Sequence, residues 1–205
     1  MRSETIISAV GKADVLAEVG CDHAKLTELA LERGLCGRAV VSDISAKCLE
    51  KAEKTLRRFG ARVTYVVFDG VPPEAERADV ILICGMGGNV MSGILSRYRG
   101  EARLVLSPQG RADLVRRALA DNGYAIDRDE CFEADGKFYD LIAAGKGAFS
   151  PDPMQAEFGT FWQKPTDALV KRLTVRLNKL RGGGERTAEE AERIAEVLKW
   201  RTDRT

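Results

Sequence analysis

The stretch EVGCDHAKL, residues 18 to 26, is the most informative segment of this chain. It places a glycine, a cysteine, two acids and the only histidine of the sequence within nine positions. The apolar residues before it, Val15 to Ala17, indicate the end of a buried strand, and those after it, from Leu26 to Arg33, have helical spacing. The stretch is therefore a strand-to-helix turn that carries an Asp-His pair.

This turn lacks two of the glycines that a pyrophosphate needs. In dinucleotide-binding folds the pattern G-x-G-x-x-G lets backbone amides approach the phosphates at the helix N-terminus. Here Gly20 is followed by Cys21, Asp22, His23 and Ala24, and the Asp22 carboxylate would repel a phosphate placed over the helix. S-adenosylmethionine has no phosphates and carries a positive sulfonium, for which a carboxylate is a natural partner. The turn argues against NAD and for this cofactor.

Composition sets broad limits on the class of protein. The 205 residues are 44% hydrophobic, which is enough for a real core, and 32 basic residues nearly balance 31 acidic ones. The net charge of the whole chain therefore does not indicate binding to a nucleic acid or a membrane. The five cysteines are scattered, with no C-x-x-C pair, and no apolar stretch reaches the length of a membrane span. We expect a cytoplasmic protein with no metal site and no membrane segment.

Apolar runs alternate with helical stretches as far as about residue 147, which favours parallel βαβ units covered on both faces. The predicted strands are Val15 to Val19, Ala39 to Asp43, Val63 to Phe68, Val80 to Cys84 and Leu104 to Ser107. The predicted helices are Leu26 to Arg33, Lys47 to Phe59, Met91 to Arg97 and Arg111 to Asn122. Residues Gly123 to Gly145 then predict two strands joined at Asp135-Gly136. This α/β pattern is typical of class I methyltransferases, although dehydrogenases also begin with βαβ repeats.

The composition changes after residue 150, so we predict a main domain over 1–150 and a helical extension over 151–205. Leu169, Leu173, Leu177 and Leu180 fall on one helical stripe, and Gly182 to Gly184 then break the chain. Thr187 followed by Glu190 resembles a capping box that opens a second helix. The first segment, residues 164–181, has six basic residues and one acid, whereas residues 185–196 have five acids and two arginines. These opposite charges favour an antiparallel helical hairpin.

Acidic residues end two further predicted strands. Asp43 lies 23 residues beyond Gly20, where a carboxylate can accept hydrogen bonds from both ribose hydroxyls, with Ile44 beside it. Asp69-Gly70 ends the third strand, where the acid can reach an adenine amino group. Each has a simpler alternative: Asp43 could cap the helix that starts near Ser45, and Asp69-Gly70 could be an ordinary turn.

Two loops are predicted to flank the methyl group of the cofactor. The fourth strand ends in ICGMGGNV, in which Gly85 and Gly87 allow close backbone approach around Met86. The fifth ends in SPQG, where Pro108 stiffens a turn between Ser107 and Gln109. The alternative for the first loop is a tight connection with Met86 in the core.

Six motifs together carry a family resemblance. EVGCDHAKL, VSDISAKCLEKA, FDG, ICGMGG, the strand ending in Ser107-Pro108, and GKFYDLI occur in the order found in the bacterial tRNA (adenine(22)-N(1))-methyltransferases. The chain resembles this family over about residues 3 to 147 and, more loosely, in the two-helix tail. The resemblance implies a Rossmann-like class I sheet with an antiparallel C-terminal hairpin, a helical extension that grips tRNA, and S-adenosylmethionine as cofactor.

The resemblance and the motifs together predict the residues of the site. Asp22 and His23 are expected to shape the catalytic geometry. The expected cofactor contacts are Gly20, Asp22, Asp43, Ile44, Asp69, Gly70, Gly85, Met86 and Gly87. The expected tRNA contacts are Ser107, Pro108, Gln109, Lys171, Arg172, Arg176 and Lys179. In the competing view of the tail, Glu189, Glu192 and Glu196 neutralise its basic helix, and the tail only packs.

Two other functions remain open from the sequence. The family usually has a Gln-Pro-Asn type loop where this chain has Ser107-Pro108-Gln109, which motivates a cofactor-binding, RNA-binding protein with weak or no turnover. The second is a methyltransferase for a small molecule, with the tail used for dimerisation. Within the main interpretation we expect a monomer with tRNA as its partner.

Overall fold

Strands and helices alternate along the first part of the computed structural model, which describes residues 2–180 and 185–202. The strands are β1 (Ala13–Val19), β2 (Cys36–Asp43), β3 (Val63–Val67), β4 (Val80–Cys84), β5 (Arg103–Ser107), β6 (Tyr124–Ala134) and β7 (Lys137–Lys146). The helices are α1 (Arg2–Ile7), α2 (Lys25–Glu32), α3 (Ala46–Leu56), α4 (Gly88–Arg97), α5 (Ala112–Asp121), α6 (Pro153–Phe158), α7 (Asp167–Leu180) and α8 (Glu185–Thr202). Every predicted element is present; β4 matches its prediction at both ends, and no end of the others differs by more than three residues.

The strands of the described residues form one seven-stranded sheet in the order β3-β2-β1-β4-β5-β7-β6. The first five are parallel, and β7 runs antiparallel to β5 and β6. Val19 is opposite Ser42 on one side and Ile83 on the other, so β1, β2 and β4 end together. The predicted α/β fold class is confirmed, and this register brings the turns after these strands to one edge of the sheet.

The core lies on both faces of the sheet, as the uninterrupted apolar runs predict. Leu16 and Val41 belong to the cluster on one face, which α1, α2 and α3 cover. Ala17 and Val40, their neighbours in the chain, belong to the cluster on the other face with residues of α4 and α5. The alternation leaves the strand ends, rather than the faces, free to bind a ligand.

The predicted hairpin is present and turns at Asp135-Gly136. Asp135 has φ 50° and Gly136 has φ 71°. Two consecutive positive φ values are the mark of a type I′ turn, whose twist matches that of the flanking strands.

The tail packs on β6 through a third apolar cluster, which includes Cys131 of β6, Leu173 of α7 and Ile194 of α8. The helical hairpin predicted for this part of the chain is confirmed, whereas a domain division at residue 150 stays a prediction. One boundary was wrong: α8 begins at Glu185, so Thr187 lies inside the helix and is not its N-cap. The predicted break at residues 182–184 lies outside the described residues.

A buried ion pair ties this tail to the main sheet. Arg116 of α5 is 1% exposed and donates to both oxygens of Asp129 of β6, at 2.8 and 2.9 Å. The same guanidinium donates to the carbonyl of Ala156 at 2.9 Å, and Thr160 N–H donates to Asp129 at 2.7 Å. Four segments therefore meet at one buried charge pair.

Candidate active site

Gly20, in the turn after β1, lies so close to the loop after β4 that no side chain would fit at this position. A Cβ added to Gly20 would lie 1.8 Å from Cε of Met86, and Gly20 has φ 70°. Asp22 and Ala24, in the same turn, also have positive φ values, 43° and 49°. Such backbone is costly for residues other than glycine, so the turn is held in its shape by its surroundings.

The carboxylate of Asp43 holds two backbone segments at the end of β2. Its Oδ2 accepts a hydrogen bond from Asp22 N–H at 3.2 Å, and its Oδ1 accepts one from Ser45 N–H at 2.9 Å. The bond to Ser45 orders the turn before α3, but the N-cap of that helix is Ser45 itself, so Asp43 is not the helix cap that the sequence left open as an alternative. Because a carboxylate has about four lone-pair positions, Asp43 keeps acceptor capacity for ribose hydroxyls.

The Asp22 side chain lies at the mouth of the turn and is 58% exposed. Nζ of Lys51 on α3 is 3.1 Å from Oδ1 of Asp22, and Nε2 of His23 is 3.7 Å from its Oδ2. The hydrogen bond from Lys51 holds the pKa of Asp22 below its ordinary value. Sequence reasoning missed Lys51, because it lies 29 residues from Asp22 and only the packing of α3 brings the two together.

Glu18, the first acid of the opening stretch, is 5% exposed at the end of β1. Its carboxylate accepts hydrogen bonds from the N–H and the hydroxyl of Thr27, the first at 3.0 Å. Burial raises the pKa of Glu18 to about 7, and the bonds from Thr27 offset only part of that effect. Glu18 is therefore a carboxyl group that titrates near neutral pH.

Backbone hydrogen bonds join the loops after β4 and β5. Gly85 N–H donates to the carbonyl of Ser107, and Gln109 N–H donates to the carbonyl of Met86 at 2.8 Å. Ser107 is fully buried, and its hydroxyl has no hydrogen-bond partner among the described residues. Pro108 is buried as well, so Gln109 is the member of the predicted trio whose side chain is exposed.

A cavity of about 380 Å³ lies at this edge of the sheet, between α1, the turn after β1 and the two loops. Its lining includes predicted residues, Gly20, Asp22, His23, Gly85 and Gln109, and also Arg2 and Glu18. Nε of Arg2 is buried without a hydrogen-bond partner in the described part of the chain, while the guanidinium lies 4.8 Å from the ring centroid of Tyr139. Sequence reasoning gave Arg2 no role, although it is the only basic residue before Lys12.

These groups fit the amino-acid end of S-adenosylmethionine. The unpartnered Arg2 nitrogen suits a carboxylate, and Glu18 and Asp22 suit the ammonium and sulfonium charges. The same lining offers no cradle for phosphates.

Exposed apolar side chains lie beside the predicted ribose acceptor. Ile44 is 72% exposed, Val67 is 58% exposed and Phe68 is 40% exposed, at the ends of β2 and β3. Such surfaces suit an adenine ring. Asp69 is near them, with Arg97 Nη2 at 3.3 Å from its Oδ1, and Gly70 has φ 104°. The roles predicted for Asp69 and Gly70 stay predictions.

The basic residues predicted to touch tRNA are mostly paired within the fold. Lys171 lies 2.8 Å from Glu133, Arg172 makes two bonds to Asp140 at 2.9 and 3.0 Å, and Arg176 lies 2.5 Å from Glu190. These partners differ from the three glutamates of the competing view. Lys179 makes no ion pair among the described residues.

Within residues 2–180 and 185–202, no cluster of histidine, cysteine and acidic side chains is arranged to hold a metal ion. None of the helices described combines the length and the apolar character that crossing a bilayer requires. All five cysteines are free.

Comparison with known proteins identifies the family. Residues 1–142 match a protein-family model described as a methyltransferase domain. The chain belongs to this methyltransferase family. A crystal structure from Streptococcus pneumoniae, described as a candidate tRNA (m1A22) methyltransferase in complex with S-adenosyl-L-methionine, is 28% identical with a TM-score of 0.88. The alignment covers 96% of this chain and 98% of that one.

Two Bacillus subtilis comparisons agree with the resemblance found in the motifs. The tRNA (adenine(22)-N(1))-methyltransferase is 29% identical over 153 residues, which are 71% of this chain and 64% of that protein. The crystal structure of the M1A22 tRNA methyltransferase TrmK is 23% identical, with a TM-score of 0.79 over 98% of this chain and 96% of that one, and supports the fold. The family resemblance stated from the sequence is confirmed.

Proposed function

We propose that this methyltransferase uses S-adenosylmethionine to methylate N1 of adenine 22 in tRNA. The observation that carries the proposal is the Asp43 carboxylate, anchored by Asp22 N–H beside the exposed Ile44 side chain. This pair offers a ribose acceptor and an adenine surface next to a turn without a phosphate cradle. The names of the Bacillus subtilis and Streptococcus pneumoniae relatives support tRNA as the acceptor.

The cofactor would lie across the ends of β1 to β4. Arg2 would hold its carboxylate, Asp43 its ribose and Ile44 its adenine. The other proposed contacts are Gly20, Asp22, Asp69, Gly70, Gly85, Met86 and Gly87. When bound, S-adenosylmethionine supplies an electrophilic methyl group on a positively charged sulfur.

Methylation of adenine N1 does not require a strong base on the protein. Adenine N1 carries an in-plane lone pair, so it is nucleophilic without prior deprotonation. Asp22, His23 and Gln109 line the cavity and would position the base. Holding N1 in line with the methyl group can lower the activation barrier by up to ~7–11 kcal/mol. Since pairing or stacking hides N1 in folded RNA, the base must be presented unpaired or flipped out.

We propose that the tail contacts tRNA. The contacts would be made by Lys179 and by the N–H donors that are not occupied by ion pairs on Lys171, Arg172 and Arg176. We place the reaction in the cytoplasm, where tRNA and free cysteines are both found. A monomeric state stays a prediction.

Methyl transfer to bulk tRNA tests the function. The protein is incubated with bulk bacterial tRNA and cofactor labelled on the methyl group, and label in precipitated RNA is counted, with Asp43→Ala as the matched control. We expect label in RNA with the wild type and little with the variant. tRNA binding without label favours the RNA-binding alternative, and label in small molecules alone favours the small-molecule enzyme.

A further inference from the structure

A second cavity, of about 600 Å³, lies where α5 meets the C-terminal helices, and guanidinium groups dominate its lining. We call it the arginine cavity. Its arginines are Arg111 at the start of α5, Arg117 on α5, Arg172 and Arg176 on α7, and Arg193 on α8. Its acids are Asp113, Asp140 and Glu157, so the lining carries more positive than negative charge.

Each acid of the lining is engaged in an ion pair, but the arginines keep N–H donors that these ion pairs do not occupy. The pairs are Arg111–Asp113 at 3.0 Å, Arg172–Asp140 at 2.9 Å, Arg193–Glu157 at 2.8 Å and Arg176–Glu190 at 2.5 Å. A guanidinium has five N–H donors, and a paired carboxylate occupies one or two of them. Arg117 is exposed and makes no ion pair or side-chain hydrogen bond among the described residues. The cavity therefore keeps unused donors and an uncompensated positive charge.

The arginine cavity adjoins the proposed active site. Gln109 lines the cavity of about 380 Å³ at the candidate active site, and Gly110, the next residue, lines the arginine cavity. The carbonyl of Gly110 accepts a hydrogen bond from Gly88 N–H at 3.2 Å, which fixes this loop on the start of α4. A nucleotide whose base entered the first cavity would have its neighbouring phosphates within reach of the second.

We propose that the arginine cavity binds the phosphodiester backbone of the RNA next to the nucleotide that is methylated. Arginine is suited to this because its planar fork matches phosphate oxygens and it stays charged. The inference rests on the proposed function. The subsite lies between the sheet and the tail, where it would align the RNA with the cofactor.

Two variants and a matched control test the subsite in the full chain. Arg117→Ala removes the unpaired charge. Arg111→Gly removes a second guanidinium and suits the backbone there, since residue 111 has φ 51°. Arg57→Ala is the control, because Arg57 is also exposed and unpaired among the described residues but follows α3 at the other side of the sheet. The Kd for tRNA is measured over a range of salt concentrations, with the Kd for S-adenosylmethionine and the melting temperature.

We expect each cavity variant to raise the Kd for tRNA about tenfold, with cofactor affinity unchanged. The plot of log binding constant against log salt concentration should become shallower, its slope decreasing in magnitude by about 0.7–0.9. Arg57→Ala should match the wild type. If both cavity variants keep the slope and Kd of the control while the wild type methylates tRNA, the subsite is refuted and the proposed function stands. If the wild type transfers no methyl group to tRNA, both fail. Should Arg111→Gly unfold, Arg117→Ala decides alone.

Discussion

The backbone N–H of Asp22 donates a hydrogen bond to the carboxylate of Asp43, across 3.2 Å. The bond joins the turn after β1 to the end of β2, so one acid both orders the binding turn and remains available to a ligand. A substitution at Asp43 therefore affects the ligand and the shape of the turn together.

Asp43→Ala should weaken binding of S-adenosylmethionine by about 1.5–3 kcal/mol, because it removes a charged hydrogen-bond acceptor. Asp43→Asn keeps one acceptor oxygen and should lose less. Isothermal titration calorimetry with the cofactor and with S-adenosylhomocysteine measures both effects. Unchanged affinity in Asp43→Ala would remove this residue from the site.

Arg2→Ala should weaken S-adenosylmethionine binding about tenfold, because the variant loses the unpartnered donor that suits the cofactor carboxylate. The control ligand is methylthioadenosine, which has the same adenosine and no amino-acid end. Its affinity should not change in Arg2→Ala, whereas Asp43→Ala should weaken both ligands. Equal losses for the two ligands in Arg2→Ala would mean that Arg2 acts only by supporting α1.

Glu18 should make the fold more stable in mild acid than at neutral pH. Its pKa is about 7 in the folded protein against an ordinary 4.5, so the folded state binds the proton more tightly. The contribution of Glu18 to the free energy of unfolding is then largest below about pH 4.5 and falls by about 3 kcal/mol as the pH rises through about 7. Glu18→Gln should lack this fall, as denaturant unfolding at several pH values measures. Parallel pH profiles for variant and wild type would contradict the assignment.

Asp129→Ala should destabilise the protein by about 3–5 kcal/mol, because it removes the hydrogen-bonded carboxylate of the buried Arg116 guanidinium and leaves only Asp140, 3.9 Å away. Asp127 provides a matched control on the same strand, since it pairs with Arg103 but is 50% exposed. Asp127→Ala should cost only about 0–1 kcal/mol. Chemical unfolding compares the two variants, and similar losses would show that burial of the Arg116 pair is not what matters.

The sequence was sufficient for the sheet and for the ends of its strands. Uninterrupted apolar runs mark strands that are buried on both faces, and in a parallel sheet the residues that follow them must meet at one edge. That is why Gly20, Asp43 and Met86 could be assigned to one region. The short helices α1 and α6, of six residues each, have too little periodicity to be recognised in this way.

The parts of the site that the sequence did not reveal depend on tertiary contacts. Lys51 reaches Asp22 because α3 packs beside α2, and Arg2 lines the cavity beside Gly20 because α1 lies over the end of β1. Burial of Ser107 follows from the hydrogen bonds between its loop and the loop after β4. Periodicity and motif spacing carry no information on such contacts between distant segments.

The most direct test of the central claim is nucleoside analysis of tRNA after reaction with the purified protein and S-adenosylmethionine. The substrate is a tRNA with adenine at position 22, and a matched transcript with guanine at that position is the control. We predict 1-methyladenosine in the first RNA, mapped to position 22, and none in the second. Methylation of a different base or position, or unmodified tRNA with a protein that binds the cofactor, would contradict the account.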